Sequence, residues 1–337
     1  HHDGFSMWKT KQSKYNIVEA TPFGRDVIKE LSQACQEEGI RLHFYYSHLD
    51  WMRDDYPMGR TGTNCGKSRD KSDWKSYYTF MNNQLTELLT EYGPIGSIWF
   101  DGWWDHEEDS VPFDWQLPEQ YELIHRLQPA CLVGNNHHGA PMEGEDIQIF
   151  ERDLPGEMTT GFAKSVAEVS RLPLETCETM NGMWGYKVTD NNYKSAADII
   201  RLLVKTSGKG ANLLMNIGPQ PNGELPAVAL QRLKELGEWT KVYGESIYGT
   251  DAGDLKPQPW GVTTMKDGKL YVHVIAPECL VPGDGGNPVL YLPLSRKVKS
   301  ITEFIGGEKV EYRKTSNGIA VVLPKDIDVV DYVLVIQ

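Results

Sequence analysis

Between residue 21 and about residue 245, two hydrophobic rhythms take turns along the chain. Short apolar runs that suit a buried strand are followed by longer stretches whose apolar residues recur every three or four positions, the period of an amphipathic helix. Thr21-Pro22 reads as an N-cap with proline at the first helical position, and Val27, Ile28, Leu31, Ala34 and Cys35 follow at helical spacing up to Gly39. A second helix carries Met81, Leu85, Leu88, Leu89 and Tyr92 on one face and stops at Gly93-Pro94. Further helices are expected near 118–127, 196–205 and 226–239, and strands at 42–47, 97–101, 131–135, 147–151, 174–177 and 212–217.

Strands alternating with helices imply an α/β fold, a parallel sheet with helical crossovers, open or closed. Polar residues stand at the C-terminal ends of most of these strands, the habit of a (β/α)8 barrel. Such a barrel requires eight strands, and six are found here. The expectation is therefore a (β/α)8-like barrel whose N-terminal strands are missing from this chain. After residue 252 the helical period vanishes, and Gly- and Pro-punctuated alternating segments take over at 270–275, 289–292, 300–304, 319–323 and 332–336. These predict a small antiparallel β-sandwich. The expected division is a catalytic domain at 1–250 and a β-sandwich domain at 251–337.

Composition narrows the partners. Thirty-four basic against forty-seven acidic side chains leave a formal charge of −13, which repels nucleic acid and anionic lipid. No run of about 18 apolar residues is present, so no membrane insertion is expected. Five scattered cysteines, without a CxxC pair, indicate neither a disulfide framework nor a zinc knuckle. Ten Trp and 16 Tyr, several beside Asp, His or Glu, are the materials of a sugar site, although core packing also uses them.

The residues able to carry chemistry cluster at strand ends. Asp101 closes an apolar strand and precedes Gly102-Trp103-Trp104, which offers room for a ligand and indole walls. Glu151 ends the strand 147–151, and Glu175 lies on or beside the next. Two carboxylates on neighbouring strands are what a glycosidase needs, one as nucleophile and one as acid; retaining enzymes hold them about 5–5.5 Å apart. Histidines occur as the adjacent pairs His1-His2 and His137-His138, with His43 and His48 between. A metal-dependent hydrolase is the rival reading, but adjacent strand residues face opposite ways and no HxH or HExxH occurs. No Gly-rich phosphate loop is present, since Gly208-Lys209-Gly210 is too short and lies between a helix and a strand rather than after a strand.

Taken in order, His1-His2-Asp3-Gly4-Phe5-Ser6-Met7-Trp8, Tyr15-Asn16-Ile17-Val18, Arg25-Asp26, Tyr45-Tyr46-Ser47, Trp99-Phe100-Asp101-Gly102, Trp184-Gly185-Tyr186 and 212–219 resemble the α-L-fucosidases of glycoside hydrolase family 29, from residue 1 to about 250. The resemblance implies a retaining exo-hydrolase that removes terminal α-L-fucose from an oligosaccharide or glycoconjugate without metal or cofactor. It also implies Asp101 as nucleophile, Glu151 as acid/base and Glu175 as the alternative acid/base. By the same resemblance His1, His2 and Tyr45 bind sugar hydroxyls and the nucleophile, and Trp184 packs on the C6 methyl. Trp103 and His137 complete the substrate-binding set, and a third carboxylate nearby is able to orient a histidine.

The chain departs from the family pattern at Asn135-Asn136-His137-His138, where many relatives carry an Arg after Asn-Asp, and by lacking a His-Trp-Gly segment upstream of His1. A retaining α-galactosidase and a fucose-binding barrel without turnover are the rival readings. A homo-oligomer is compatible with the sequence. Family habit places such proteins in the periplasm, the exterior or the lysosome.

Overall fold

The computed structural model describes residues 2–66, 71–161, 165–327 and 330–337. The chain forms two compact units, His1–Ile149 with Phe162–Pro173, and Phe150–Gly161 with Leu174–Gln337.

The first unit is built on parallel strands in the order β1 (Leu42–Ser47), β2 (Ile95–Asp101), β3 (Leu132–Asn135) and the start of β4 (Ile147–Glu151). Helix α1 (Val27–Glu37) precedes β1, α2 (Trp74–Glu91) joins β1 to β2, and α3 (Leu117–Leu127) joins β2 to β3. Register is what matters for chemistry. Ser47 lies opposite Asp101, and Phe100 lies opposite Asn135. The C-terminal ends of three strands therefore meet at one edge. Strand β2 is apolar on both faces, as a covered parallel strand must be. Its Ile98 and Phe100 are wholly buried among Met81, Leu85 and Leu88 of α2 and Tyr121 and Ile124 of α3.

Helix α1 begins later than its proline predicts. Asp26, not Thr21, is the N-cap, its carboxylate accepting from the Lys29 N–H at 2.9 Å. Thr21 instead turns its hydroxyl to the Ile17 carbonyl and accepts from the Phe23 N–H. The physical reason is that the Asp26 carboxylate also takes the Lys9 N–H and the Tyr92 hydroxyl. It thus ties the helix start to two other segments, which Thr21 does not.

The N-terminal motif is held by α2. Buried Glu87 accepts from the Trp8 indole, the Lys11 N–H and the Gln12 amide, while Gln84 donates to the Ser6 hydroxyl and accepts from Tyr46. Gly4 has a φ of 68°, and a Cβ there would fall 2.4 Å from the Asp50 carboxylate. Only glycine fits that bend.

In the second unit β5 (Leu174–Thr179) pairs in parallel with β6 (Ala211–Asn216), and α4 (Ala196–Gly208) connects them behind a Ser195–Asp198 capping box. Helix α5 (Ala227–Tyr243) follows. Beyond it lie two antiparallel sheets, as expected. One has the order β12-β15-β9-β8-β7, from β7 (Asp251–Ala252), β8 (Gly261–Lys266), β9 (Lys269–Val274), β12 (Ile301–Glu303) and β15 (Tyr332–Ile336). The other has the order β10-β11-β14-β13, from β10 (Val281–Pro282), β11 (Pro288–Leu292), β13 (Tyr312–Thr315) and β14 (Gly318–Val322). Leu270, Val272 and Leu334 of one sheet and Leu290, Val321 and Leu292 of the other share one core.

Strands β8 and β13 escape a hydrophobic reading for opposite reasons. β8 buries Thr263 and Thr264 completely, whereas β13 is half-buried only at Tyr312 and exposes Arg313, Lys314 and Thr315. No helix among the described residues is long and apolar enough to cross a membrane.

Removing the α1 cap tests this account. Asp26→Ala is expected to cost about 1–2 kcal/mol in urea unfolding and Thr21→Ala about 0.5 kcal/mol or less. Equal losses would return the cap to Thr21.

Candidate active site

The C-terminal end of β2 delivers Asp101 to a nearly dry position, 9% exposed. Its carboxylate is an acceptor-only group, and donors from several segments surround it. Oδ1 accepts from the Gly102 N–H at 2.8 Å, the Trp104 indole at 2.9 Å and the Asn136 amide at 3.3 Å. Oδ2 accepts from the Tyr45 hydroxyl at 2.6 Å and stands 3.6 Å from His2 Nε2. Tyr45 comes two residues before Ser47 on β1, hence on the face that Ser47 shares with its partner Asp101. Asn136 follows the end of β3 and donates its backbone N–H to the Phe100 carbonyl. Gly102, at φ 98°, lets the chain turn sharply into a 3-10 turn (Trp103–His106) that brings Trp104 back over the carboxylate.

Neighbouring hydrogen bonds fix the state of His2. Ser47 gives its one hydroxyl proton to the Leu49 carbonyl at 2.8 Å, so His2 Nδ1, 2.7 Å from Ser47 Oγ, must be the donor. When the ring is neutral, Nε2 carries a lone pair toward Asp101. Burial lowers the His2 pKa from its ordinary 6.5, with the Asp101 charge opposing that shift. Nε2 is thus an acceptor beside a carboxylate, a place for a hydroxyl group to donate.

His137 is arranged differently. The Gly139 N–H donates to Nδ1 at 3.0 Å, so Nε2 carries the proton and donates to both oxygens of Glu145 at 3.1 Å. Glu145 also accepts from the Tyr121 hydroxyl and the Met142 N–H. Both His137 nitrogens are therefore engaged, and the ring lies edge-on to Trp103, 6.0 Å between centroids. Glu145 is the histidine-orienting carboxylate. His43 bonds Ser97. His48 is stacked on Phe100 at 4.3 Å and shares a 2.7 Å bond with Gln120. Among the described residues no group of three or more His, Cys, Asp or Glu side chains is gathered as metal ligands.

His1 lies outside the described residues. Glu151, Glu175 and Trp184 belong to the second unit. Glu151 is the last residue of β4 and half-buried; the next residue, Arg152, takes a left-handed φ of 57° and donates its N–H to the Cys177 carbonyl. Glu175 is the second residue of β5, opposite Asn212. At the far end of β5, Glu178 meets Arg152 at 3.5 Å and Lys194 at 3.4 Å. The Arg152 guanidinium sits 5.0 Å above the Trp184 ring, which is 37% exposed. The sequence offers Trp104 only as one of two wall indoles and Asn136 only within the run 135–138, and it does not single out Glu145. Two of them do carry a usable signal, since Trp104 and Asn136 sit within three residues of a strand end.

The first unit thus gathers an almost buried Asp among backbone, amide and aromatic donors, with the His2 ring beside it. A family model described as alpha-L-fucosidase matches residues 1–245, and the chain belongs to that family. The alpha-L-fucosidase of Dictyostelium discoideum is 26% identical over 96% of this chain and 65% of its own length. The plasma alpha-L-fucosidase of Homo sapiens is 25% identical over 80% of this chain and 56% of its own. The solved alpha-L-fucosidase isoenzyme 1 of Paenibacillus thiaminolyticus is 32% identical, with a TM-score of 0.79 over 100% of this chain and 81% of that one. A Bacteroides thetaiotaomicron family 29 enzyme trapped as a covalent intermediate is 25% identical, with a TM-score of 0.77 over 100% of this chain and 76% of that one. The chain spans roughly half to two thirds of the first curated relatives it matches, from 49% to 65% of their length.

Burial holds His48 at about 4, against an ordinary value of 6.5. Below pH 6.5 the unfolded chain takes up a proton that the folded chain refuses, so stability falls as pH drops from 6.5 to 4 and levels off below. The span is worth about 3 kcal/mol. Urea unfolding at pH 7, 5.5 and 4 should show this slope, and His48→Gln, which does not titrate, should lose that share of it. Parallel slopes in the two proteins would contradict the assignment.

Proposed function

We propose that this chain hydrolyses terminal α-L-fucosidic linkages of glycans by a retaining, two-carboxylate double displacement. Asp101 attacks the anomeric carbon, forming a glycosyl–enzyme bond as the glycosidic bond breaks. The second carboxyl group protonates the departing oxygen, then takes a proton from the water that releases the sugar. The observation that carries this reading is the setting of Asp101, whose Oδ2 points at Tyr45 and His2 while Oδ1 is pinned by Trp104, Gly102 and Asn136. Pinning one oxygen and offering the other is what a nucleophile needs. The relative trapped as a covalent intermediate supports the two-step route.

Glu151 is the preferred acid/base. Catalytic groups of parallel barrels come from C-terminal strand ends; Glu151 ends its strand as Asp101 does, whereas Glu175 stands near the start of β5. Trp184 supplies an apolar face for the sugar methyl, a contact worth about 0.8 kcal/mol. His2 and Tyr45 bind hydroxyls, Trp103 walls the site, and His137 contributes by holding its loop. The same proposal includes a (β/α)8-like barrel at 1–250 and a β-sandwich at 251–337, supported by the end of the family match at residue 245.

Hydrolysis of an aryl α-L-fucoside by the chain and three variants tests this. Asp101→Ala should lose about 10³-fold or more in kcat. Glu151→Ala should retain more activity on an aryl substrate, whose leaving group needs little protonation, than on a natural fucoside. Azide should rescue Glu151→Ala as the retained fucosyl azide and Asp101→Ala as the inverted one. Retained product from Glu175→Ala instead would move the acid to that residue. Fucose binding without turnover in the unmutated chain would make it a lectin-like protein.

A further inference from the structure

Asp105 follows Trp104 in the turn after β2 and is 1% exposed. Neither of its oxygens touches sugar-facing groups. Both are filled by one loop, residues 56–61. Oδ2 accepts from the Tyr56 hydroxyl at 2.7 Å and the Gly59 N–H at 3.2 Å, and Oδ1 accepts from the Thr61 N–H at 2.9 Å and the Thr61 hydroxyl at 2.6 Å. The Asp105 carbonyl takes the Arg60 N–H at 3.0 Å. The loop comes so close that a Cβ on Gly59 would lie 2.3 Å from that carbonyl oxygen.

The bonding continues in one direction. Thr61 spends its hydroxyl proton on Asp105, which leaves its oxygen to accept the Trp51 indole N–H at 3.0 Å. An indole N–H only donates, so the order Trp51 to Thr61 to Asp105 is fixed. Such chains polarise and strengthen one another in a dry site. Trp51 packs on His2 with centroids 5.2 Å apart, and its backbone N–H donates to the His2 carbonyl at 2.7 Å. Trp104 also packs on His2, T-shaped with centroids 5.5 Å apart, while donating to Asp101. One carboxylate thus anchors both indoles that confine His2.

We propose that Asp105 is a positioning residue. Through Thr61 and Trp51 it sets the wall against which His2 rests, and through the turn it shares with Trp104 it sets a donor on Asp101. Its role in turnover rests on the fucosidase reading; its hold on His2 does not.

Thr61→Val is the decisive variant, because it keeps shape and charge and breaks the chain between Trp51 and Asp105. The carboxylates of Asp101, Asp3 and Asp105 act on the His2 ring, and the variant leaves them all in place. With the wall loosened and water admitted, the NMR titration midpoint of His2 should rise by roughly half a pH unit toward its ordinary value. On the aryl fucoside kcat should fall about 10-fold with KM within about twofold, and Thr61→Ser should restore it. Asp105→Asn should lose more, since its amide must face two donors with a donor. If Thr61→Val proves unstable, Trp51→Phe breaks the same chain from the other end. A variant with a lower Tm but an unmoved His2 titration and unchanged kcat would overturn the proposal. A parent chain that cleaves no fucoside would defeat the fucosidase reading, and the His2 titration would still decide this one.

Discussion

A carboxylate placed at the end of an apolar strand loses most of its water, and the loss is tolerable only where protein donors take the place of that water. Everything around Asp101 answers to this requirement. Tyr45 from β1, Trp104 and Gly102 from the turn after β2, and Asn136 from beyond β3 each supply a donor. The parallel register that sets Ser47 opposite Asp101 and Phe100 opposite Asn135 is thereby tied to chemistry as well as to packing. A slip of one residue on β1 would turn Tyr45 to the other face and put Phe44 or Tyr46 against the carboxylate. The buried contacts of Glu87 and Gln84 on α2 serve the same end, because they hold the N-terminal segment that presents His2.

The two histidines near this edge show how neighbours, and not residue type, decide function. Ser47 takes the Nδ1 proton of His2 and leaves Nε2 beside Asp101. Gly139 and Glu145 take both nitrogens of His137. The first ring keeps one nitrogen turned toward Asp101, and the second spends both on its own loop. A buried Glu145 with Tyr121, Met142 and His137 as donors is a structural carboxylate, although it is as buried as Asp101.

Much of this was legible in the sequence, for physical reasons that differ from element to element. Strands such as 147–151 and 332–336 read correctly because their burial is written in apolar residues. The place of Asp101 at a strand end was legible because the residue closes such a run. What failed to read was whatever depends on partners distant in sequence. The α1 cap went to Asp26 because Lys9 and Tyr92 also bond it, β8 hid two buried threonines, and Trp104 rather than Trp103 donates to Asp101 because of the Gly102 turn. A pattern of hydrophobicity records which residues leave water. It does not record which hydrogen bond replaces the water.

The second unit repeats the logic at a strand end. Residues with φ near +57° cost roughly 1 kcal/mol or more outside glycine, and Arg152 accepts that cost immediately after Glu151. Four contacts offset it: the Cys177 carbonyl takes its N–H, the Gly182 carbonyl and Glu178 take its guanidinium, and the Trp184 ring lies beneath that cation. An extended Arg152 would carry β4 onward; the left-handed turn makes Glu151 the last residue of the strand and brings the cation back over the indole. Strain at this point is over-determined by its surroundings, the condition under which a fold keeps it. The end of β4 at Glu151 and the approach of the Arg152 cation to Trp184 meet at one backbone turn.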